Sequence, residues 1–232
     1  VHFPYASEDL QVTWVPVNQP VPVGNWRSVS NSYAAFLNEV FLDELTVNAG
    51  ADPIAYRIAL LDAHPRFRAV LDLLRRLSDW GSSLGEGRGR GVAIHKCFET
   101  IVGEVAEVSV NGGKLIVDRV VAVVDCGLAI NPGIVEQQTE SGIVYGLTAA
   151  IYGDITIEGG RVDQKNFPDY EMVRMATMPR IETHILESGI MLGGMGEPSV
   201  PPIAPALVNA IFDATGVRHR TLPLMHADGL SI

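Results

Sequence analysis

The segment Gly193-Gly194-Met195-Gly196-Glu197-Pro198-Ser199-Val200-Pro201-Pro202 sets one carboxylate between three glycines and three prolines. Glycines let a backbone approach a ligand closely and permit positive φ, while prolines stiffen the chain that follows. A helix is expected next, at about 204–214, with its N-terminus facing back toward the loop, a favourable place for anionic groups. A carboxylate held on such a turn, among small and apolar neighbours, suits a general base tuned by desolvation. The same residue also suits a simple cap of the following helix, and composition does not choose between the two.

Two further segments carry the same kind of chemistry. In 135–146, Gln138, Ser141, Gly142 and Tyr145 recur at three- and four-residue spacing and so share one helical face. Gly142 and Gly146 each cost a helix about 1 kcal/mol relative to alanine. Close approach by another backbone or by a ligand would account for them. Gln138 beside them offers both a donor and an acceptor to a heterocyclic edge; tight helix packing with a surface glutamine is the plainer alternative. In Gly24-Asn25-Trp26-Arg27-Ser28-Val29, a Trp-Arg pair after a Pro/Gly loop can set a guanidinium against an anion. It can equally be a surface arginine packed on a tryptophan.

These segments need elements to hold them. Alternation around Gln11 to Val17 reads as a strand, followed by a Pro-punctuated loop to Arg27. Ala35, Phe36, Val40, Phe41, Leu45 and Val47 have helical spacing over 31–48, with Gly50 as a stop. Asp52-Pro53 reads as an N-cap and first helical residue of a short helix to Leu61. A third helix is expected over 65–80, and 81–87 is a loop and candidate boundary whose neighbours Arg88 and Arg90 are expected to be solvated. The pattern then turns to β at 91–97, 101–110 and 114–125. Asn111-Gly112-Gly113 signals a hairpin, and the doubly apolar run Val120 to Val124 marks a central strand. Asn131-Pro132 opens a helix over 133–151. A turn falls at Glu158-Gly159-Gly160, and a strand at 181–186. Hairpins with packed helices make the fold class α+β, with mixed sheets.

Composition removes several functions. A formal net charge of -10 repels phosphate backbones and argues against nucleic-acid binding. There is no apolar run of about 18 residues, so no membrane-spanning helix is expected. No GxGxxG follows a strand, so NAD binding is not expected. Cys97 and Cys126 form no CxxC pair and read as buried thiols. The six histidines, at 2, 64, 95, 184, 219 and 226, form no HxxxH or HExxH pair, so no metal ligands are assigned. The start at Val1-His2-Phe3 has no basic or signal-type run and no methionine, which suggests a fragment or processed chain. Compartment therefore stays open between a bacterial cytoplasm and periplasm.

The order of motifs is Trp26-Arg27-Ser28-Val29, then Asp125-Cys126-Gly127-Leu128-Ala129-Ile130-Asn131-Pro132 running into Gln138 and Gly142, then the 193–202 segment. Together they resemble the molybdenum subunit of xanthine-oxidase and aldehyde-oxidase-type hydroxylases, most of all the branch of the isoquinoline 1-oxidoreductase β-subunit, over nearly the whole chain. The resemblance implies the C-terminal portion of such a subunit. Residues 1–80 would be the end of a first molybdopterin-binding region plus a helical linker, and 88–232 a second, C-terminal molybdopterin-binding domain. It implies a molybdopterin, in the cytosine dinucleotide form, carrying molybdenum, and [2Fe-2S] clusters in a small partner subunit. Glu197 falls where the family's glutamate takes a proton from hydroxide on the metal. Gln138 falls on a glutamine that hydrogen-bonds the pterin, and Gly194, Met195 and Gly196 fall on cofactor-binding positions. Arg27 falls on the arginine of a Phe-Arg-Gly segment, with Trp26 and Ser28 replacing its neighbours.

The implied activity is oxidation of an N-heteroaromatic or aldehyde with oxygen from water. The metal would be held by pterin sulfurs, which is compatible with the lack of a protein ligand cluster. The family's subunit is several times longer, and its other Gly-rich and Gln-Gly motifs lie upstream. The chain alone is thus expected to be inactive and to need the remainder of that subunit. A catalytically silent scaffold or interaction domain is the competing reading. A generic anion-binding protein would explain the 193–202 segment and neither of the others.

Overall fold

The computed structural model describes residues 3–189 and 192–232; Val1 and His2, part of the start read above, lie outside them. The elements run α1 (Asn31–Asn48), α2 (Pro53–Ala59), α3 (Pro65–Leu77), β1 (Arg88–Cys97), β2 (Thr100–Asn111), β3 (Lys114–Asp125), α4 (Pro132–Tyr152), β4 (Ile157–Glu158), β5 (Arg161–Val162), β6 (Arg180–Ile185) and α5 (Ile203–Thr215). The main sheet has the order β1-β2-β3-β6, with β6 parallel to β3 and the other pairs antiparallel. This is a mixed sheet with packed helices. β3 is interior, as its doubly apolar run requires.

One face of the sheet packs Val92, Ile94, Ile101, Val105, Val121 and Val123 against Ile54 of α2 and Phe67, Val70, Leu71 and Leu74 of α3. The other packs Ala93, Ala106, Val108, Val120 and Ala122 against Ile143 and Leu147 of α4 and Ile203, Ala206, Leu207, Ala210 and Ile211 of α5. Local signals explain the ends. The Asp52 side chain accepts from the Ala55 amide (2.8 Å), and Asn131 does the same for Ile134 (3.2 Å), each with proline following. Gly112 and Gly113 turn the β2–β3 hairpin at φ 58° and 85°, a conformation side chains resist.

Three expectations fail. Residues 11–17 run exposed and without regular structure, because an alternating segment becomes a strand only beside a partner edge. β1 begins at Arg88 rather than 91, and Arg90 is not solvated. Its guanidinium pairs with Glu107 at 2.8 Å and donates to the carbonyls of Asp79 and Ser82. The boundary loop is thereby tied to β2.

Glu104 of β2 is fully buried beside Ala93 and Ala122, and neither of its carboxylate oxygens has a partner. Burial pushes this carboxyl well above the usual carboxylate range. The folded state therefore binds its proton more tightly than the unfolded chain, so stability falls as pH rises from about 4.3, the unfolded value. Glu104→Met is expected to raise stability at pH 7 by about 1–3 kcal/mol and to flatten that slope. Thermal melts of both proteins between pH 5 and 8 check it; parallel curves of equal midpoint would contradict it.

Candidate functional site

The C-terminal ends of β1 and β3 and the start of β2 form one edge of the sheet, and the 193–202 segment is laced to it. The Gly193 amide donates to the Cys126 carbonyl (2.9 Å) and the Gly194 amide to that of Phe98 (2.9 Å). The Thr100 hydroxyl donates to the Gly194 carbonyl (2.7 Å). A β-carbon on Gly193 would lie 2.2 Å from Thr100 Oγ1, so this glycine serves close approach and not a left-handed turn. Met195 turns its side chain inward against Val102, Val124, Cys126, Ala129 and Val135. Asp125 anchors the strand end that receives the loop. Arg66 (2.7 Å), Ser188 (2.7 Å) and the Gly127 amide (3.0 Å) all donate to it. Burial pushes its carboxyl up, but these three donors outweigh that and hold it below the usual range.

From the other side comes α4. A β-carbon on Gly142 would sit 2.0 Å from Ser199 Oγ, and one on Gly146 2.4 Å from Ile203 Cγ2. The two glycines thus admit the Ser199 and Ile203 side chains and the Val200 carbonyl, which accounts for them in the helix. Gln138, half-buried, stays at the rim of this contact.

Arg27 ties the three segments together. Its Nε donates to the Gly196 carbonyl (2.7 Å), one terminal nitrogen to Ser141 Oγ (3.1 Å) and the other to Gln138 Oε1 (3.2 Å). The guanidinium also lies 5.4 Å from the Tyr145 ring, which stacks at 4.8 Å on Trp26. Arg27 is therefore not merely packed on its neighbouring tryptophan. The contact fixes the Gln138 amide: the oxygen is taken, and the NH2 is left as the outward donor. Ser28 and Val29 sit at φ 78° and 46°, where non-glycine residues cost about 1–3 kcal/mol each. Ser28, fully buried, donates to the Glu197 carbonyl (2.8 Å), which also receives the Val200 amide (3.0 Å).

Glu197 does not cap α5. That helix starts at Ile203 with no side-chain cap, and Glu197 Oε2 is buried without a hydrogen-bond partner. An orphaned buried carboxylate oxygen marks a place where a partner is missing from the chain itself. Burial first, and then the nearby Glu197 carboxylate, push the Cys97 thiol up to about 12; Cys126 is also raised, chiefly by burial. Both cysteines are free and buried, as read from sequence. Gly194 and Gly196 are exposed, as are the nearby Phe98, Leu128, Ile130 and Ile134. The site is thus an open wall with an apolar rim. Among the described residues no cluster of His, Cys, Asp and Glu could hold a metal ion, and no helix is long and apolar enough to cross a membrane.

Asn31 and Thr100 were not singled out from sequence, and Ser28, Asp125 and Ser199 stood within the quoted segments with no role of their own. Only Asp125 carried a local signal, an Asp two residues before a glycine, as in an Asx-turn.

Comparison with known proteins places this geometry. Residues 86–179 match the family described as a molybdopterin cofactor-binding domain. The chain is 32% identical over 212 residues to the β-subunit of isoquinoline 1-oxidoreductase from Brevundimonas diminuta, covering 89% of this chain and 27% of that protein. It is 31% identical over 244 residues to a subunit of nicotinate dehydrogenase from Pseudomonas putida, covering 95% and 20%. The crystal structure of quinoline 2-oxidoreductase from Pseudomonas putida 86 superposes with a TM-score of 0.77 over 88% of this chain and 52% of that one; at 13% identity this speaks to the fold. The match marks residues 86–179 as a molybdopterin cofactor-binding domain. The chain belongs to the molybdenum-binding subunits of the xanthine oxidase and aldehyde oxidase family. It spans about a quarter of the length of the curated relatives it matches.

Proposed function

We propose that the chain is the C-terminal portion of the molybdenum subunit of a hydroxylase that oxidises an N-heteroaromatic or an aldehyde with oxygen from water, and that passes electrons to a separate [2Fe-2S] subunit. The observation that carries this reading is the meeting of Arg27, Gln138 and Gly196 in one hydrogen-bonded cluster beside an orphaned Glu197 oxygen. Residues 88–232 form the second molybdopterin-binding domain, and 1–80 the end of the first such region with a helical linker. The remainder of the subunit would cover the apolar rim around the site.

The residues fit a molybdopterin; its cytosine dinucleotide form rests on the resemblance alone. They offer it hydrogen-bond donors and a close backbone, and no metal ligands, as suits a metal held by pterin sulfurs. Bound there, the cofactor supplies a two-electron acceptor and the site at which water is activated. Gln138 presents its amide NH2 to the pterin edge, and Arg27 holds that amide in orientation. Gly194, Met195 and Gly196 bind through main-chain groups, because the Met195 side chain points into the core. Glu197 Oε2 accepts the proton that the oxygen nucleophile must lose, in a place where the chain offers it no competing donor.

The test is oxidation of a panel of isoquinoline, nicotinate and an aromatic aldehyde by the complete complex in water enriched in oxygen-18. Label in the product, by mass spectrometry, supports the reading. Unlabelled product, or no oxidation by a molybdenum-loaded complex, favours the silent scaffold. The isolated chain is expected to be inactive in the same assay.

A further inference from the structure

Resting on that reading, the structure offers more than the residues that face the cofactor. We infer that His95 and Asn31 form a positioning link that sets the Glu197 backbone through Ser28. His95 belongs to β1 and is buried, on the sheet face that carries α4 and α5. Its Nε2 lies 3.0 Å from Asn31 Oδ1. The Asn31 amide nitrogen donates to the Ser28 carbonyl (3.1 Å), which assigns the amide oxygen to His95 and makes Nε2 the donor. Ser28 in turn donates to the Glu197 carbonyl. The link therefore runs from β1, at one edge of the main sheet, to the residue proposed as the base.

Ser28 needs such a link. It and Val29 hold left-handed backbone that neither prefers, and such conformations persist only when the surroundings over-determine them. The turn also carries Arg27, whose Nε fixes the Gly196 carbonyl, one peptide before Glu197. Two adjacent carbonyls of the catalytic loop are thus set by one strained turn, and that turn is tied to the sheet by Asn31 and His95. None of these three residues is proposed to touch cofactor or substrate. They act through Glu197, so the effect belongs in turnover more than in binding.

The experiment compares three variants in the complete complex. Asn31→Asp keeps the acceptor for His95 but replaces the donor to Ser28 with an oxygen. It sits at the first position of α1, where an acid favours the helix, so loss of helix stability does not explain a defect. Ser28→Ala cuts the last bond. His95→Gln places an amide donor near the original Nε2. Two readouts are taken: steady-state kinetics, and hydrogen exchange of the peptide spanning 193–202. Asn31→Asp and Ser28→Ala are expected to lower kcat about tenfold to a hundredfold, with KM and molybdenum content within about twofold of the parent. Both should speed exchange in 193–202 while leaving β2 and β3 protected. His95→Gln should stay near the parent in both. Parent-like exchange and kcat in Asn31→Asp would overturn the link, as would protection lost evenly across the whole chain. If the parent complex itself lacks turnover, the functional reading fails, and exchange still decides the link.

Discussion

Glu197→Gln in the complete molybdenum subunit is expected to lower kcat by about 10²–10⁴-fold, the range that positioned acid–base groups contribute. The substitution keeps length and shape and removes only the ability to take a proton. The backbone contacts of residue 197, to Ser28 and Val200, do not involve the side chain and survive. Molybdenum content and thermal midpoint should therefore stay at parent values. KM should change little, because a group that acts in the transition state does not hold the ground state. Steady-state kinetics with elemental analysis of the same preparations check this. Turnover at the parent rate would remove Glu197 as the base; loss of molybdenum along with activity would make it a structural residue.

Gly91→Ala is expected to be the most damaging single methyl group in the fold. A β-carbon there would stand 2.2 Å from both the Ala206 carbonyl oxygen and the Ala210 amide nitrogen, on the backbone of α5. Backbone cannot rotate aside as a side chain would, so α5 must withdraw from β1. Overpacking of this kind costs about 1–3 kcal/mol or more. A strand alanine without contacts would instead stabilise by about 0.4–1 kcal/mol, through the unfolded chain. The two views differ in sign. α5 emerges directly from Pro201-Pro202, so its shift also disturbs the turn that holds Glu197. A urea melt should show a midpoint well below the parent; an unchanged or raised midpoint would mean that α5 lies further from the strand than described.

Gly91 also marks a limit of sequence reading. A lone glycine in a Val/Ile-rich run signals a bulge or a close approach, and nothing local says that α5, more than a hundred residues later, is what approaches. The elements with strong local chemistry were legible: Asp52-Pro53 and Asn131-Pro132 open helices, and Asn111-Gly112-Gly113 turns the hairpin. Residues 11–17 misled because alternation describes a strand's two faces and not its partner. Arg90 misled because its partner Glu107 lies on the neighbouring strand. The three site segments were each visible as glycine, proline or small-residue patterns. Their convergence on Arg27 was not, since it depends on long-range hydrogen bonds between segments over a hundred residues apart. Ser28 stood in the Trp26-Arg27-Ser28-Val29 motif without a role of its own, and Asn31 and His95 carry no pattern at all; the meaning of each comes from its partner.

Molybdenum content, measured by elemental mass spectrometry, tests the central claim most directly. It should be measured on this chain alone and on the complete subunit with its iron–sulfur partner, both produced where the cofactor is made. The account predicts metal near one per complex in the assembly and none on the chain alone, because the site is one open wall of the cofactor's enclosure. An assembly without molybdenum under those conditions would contradict it.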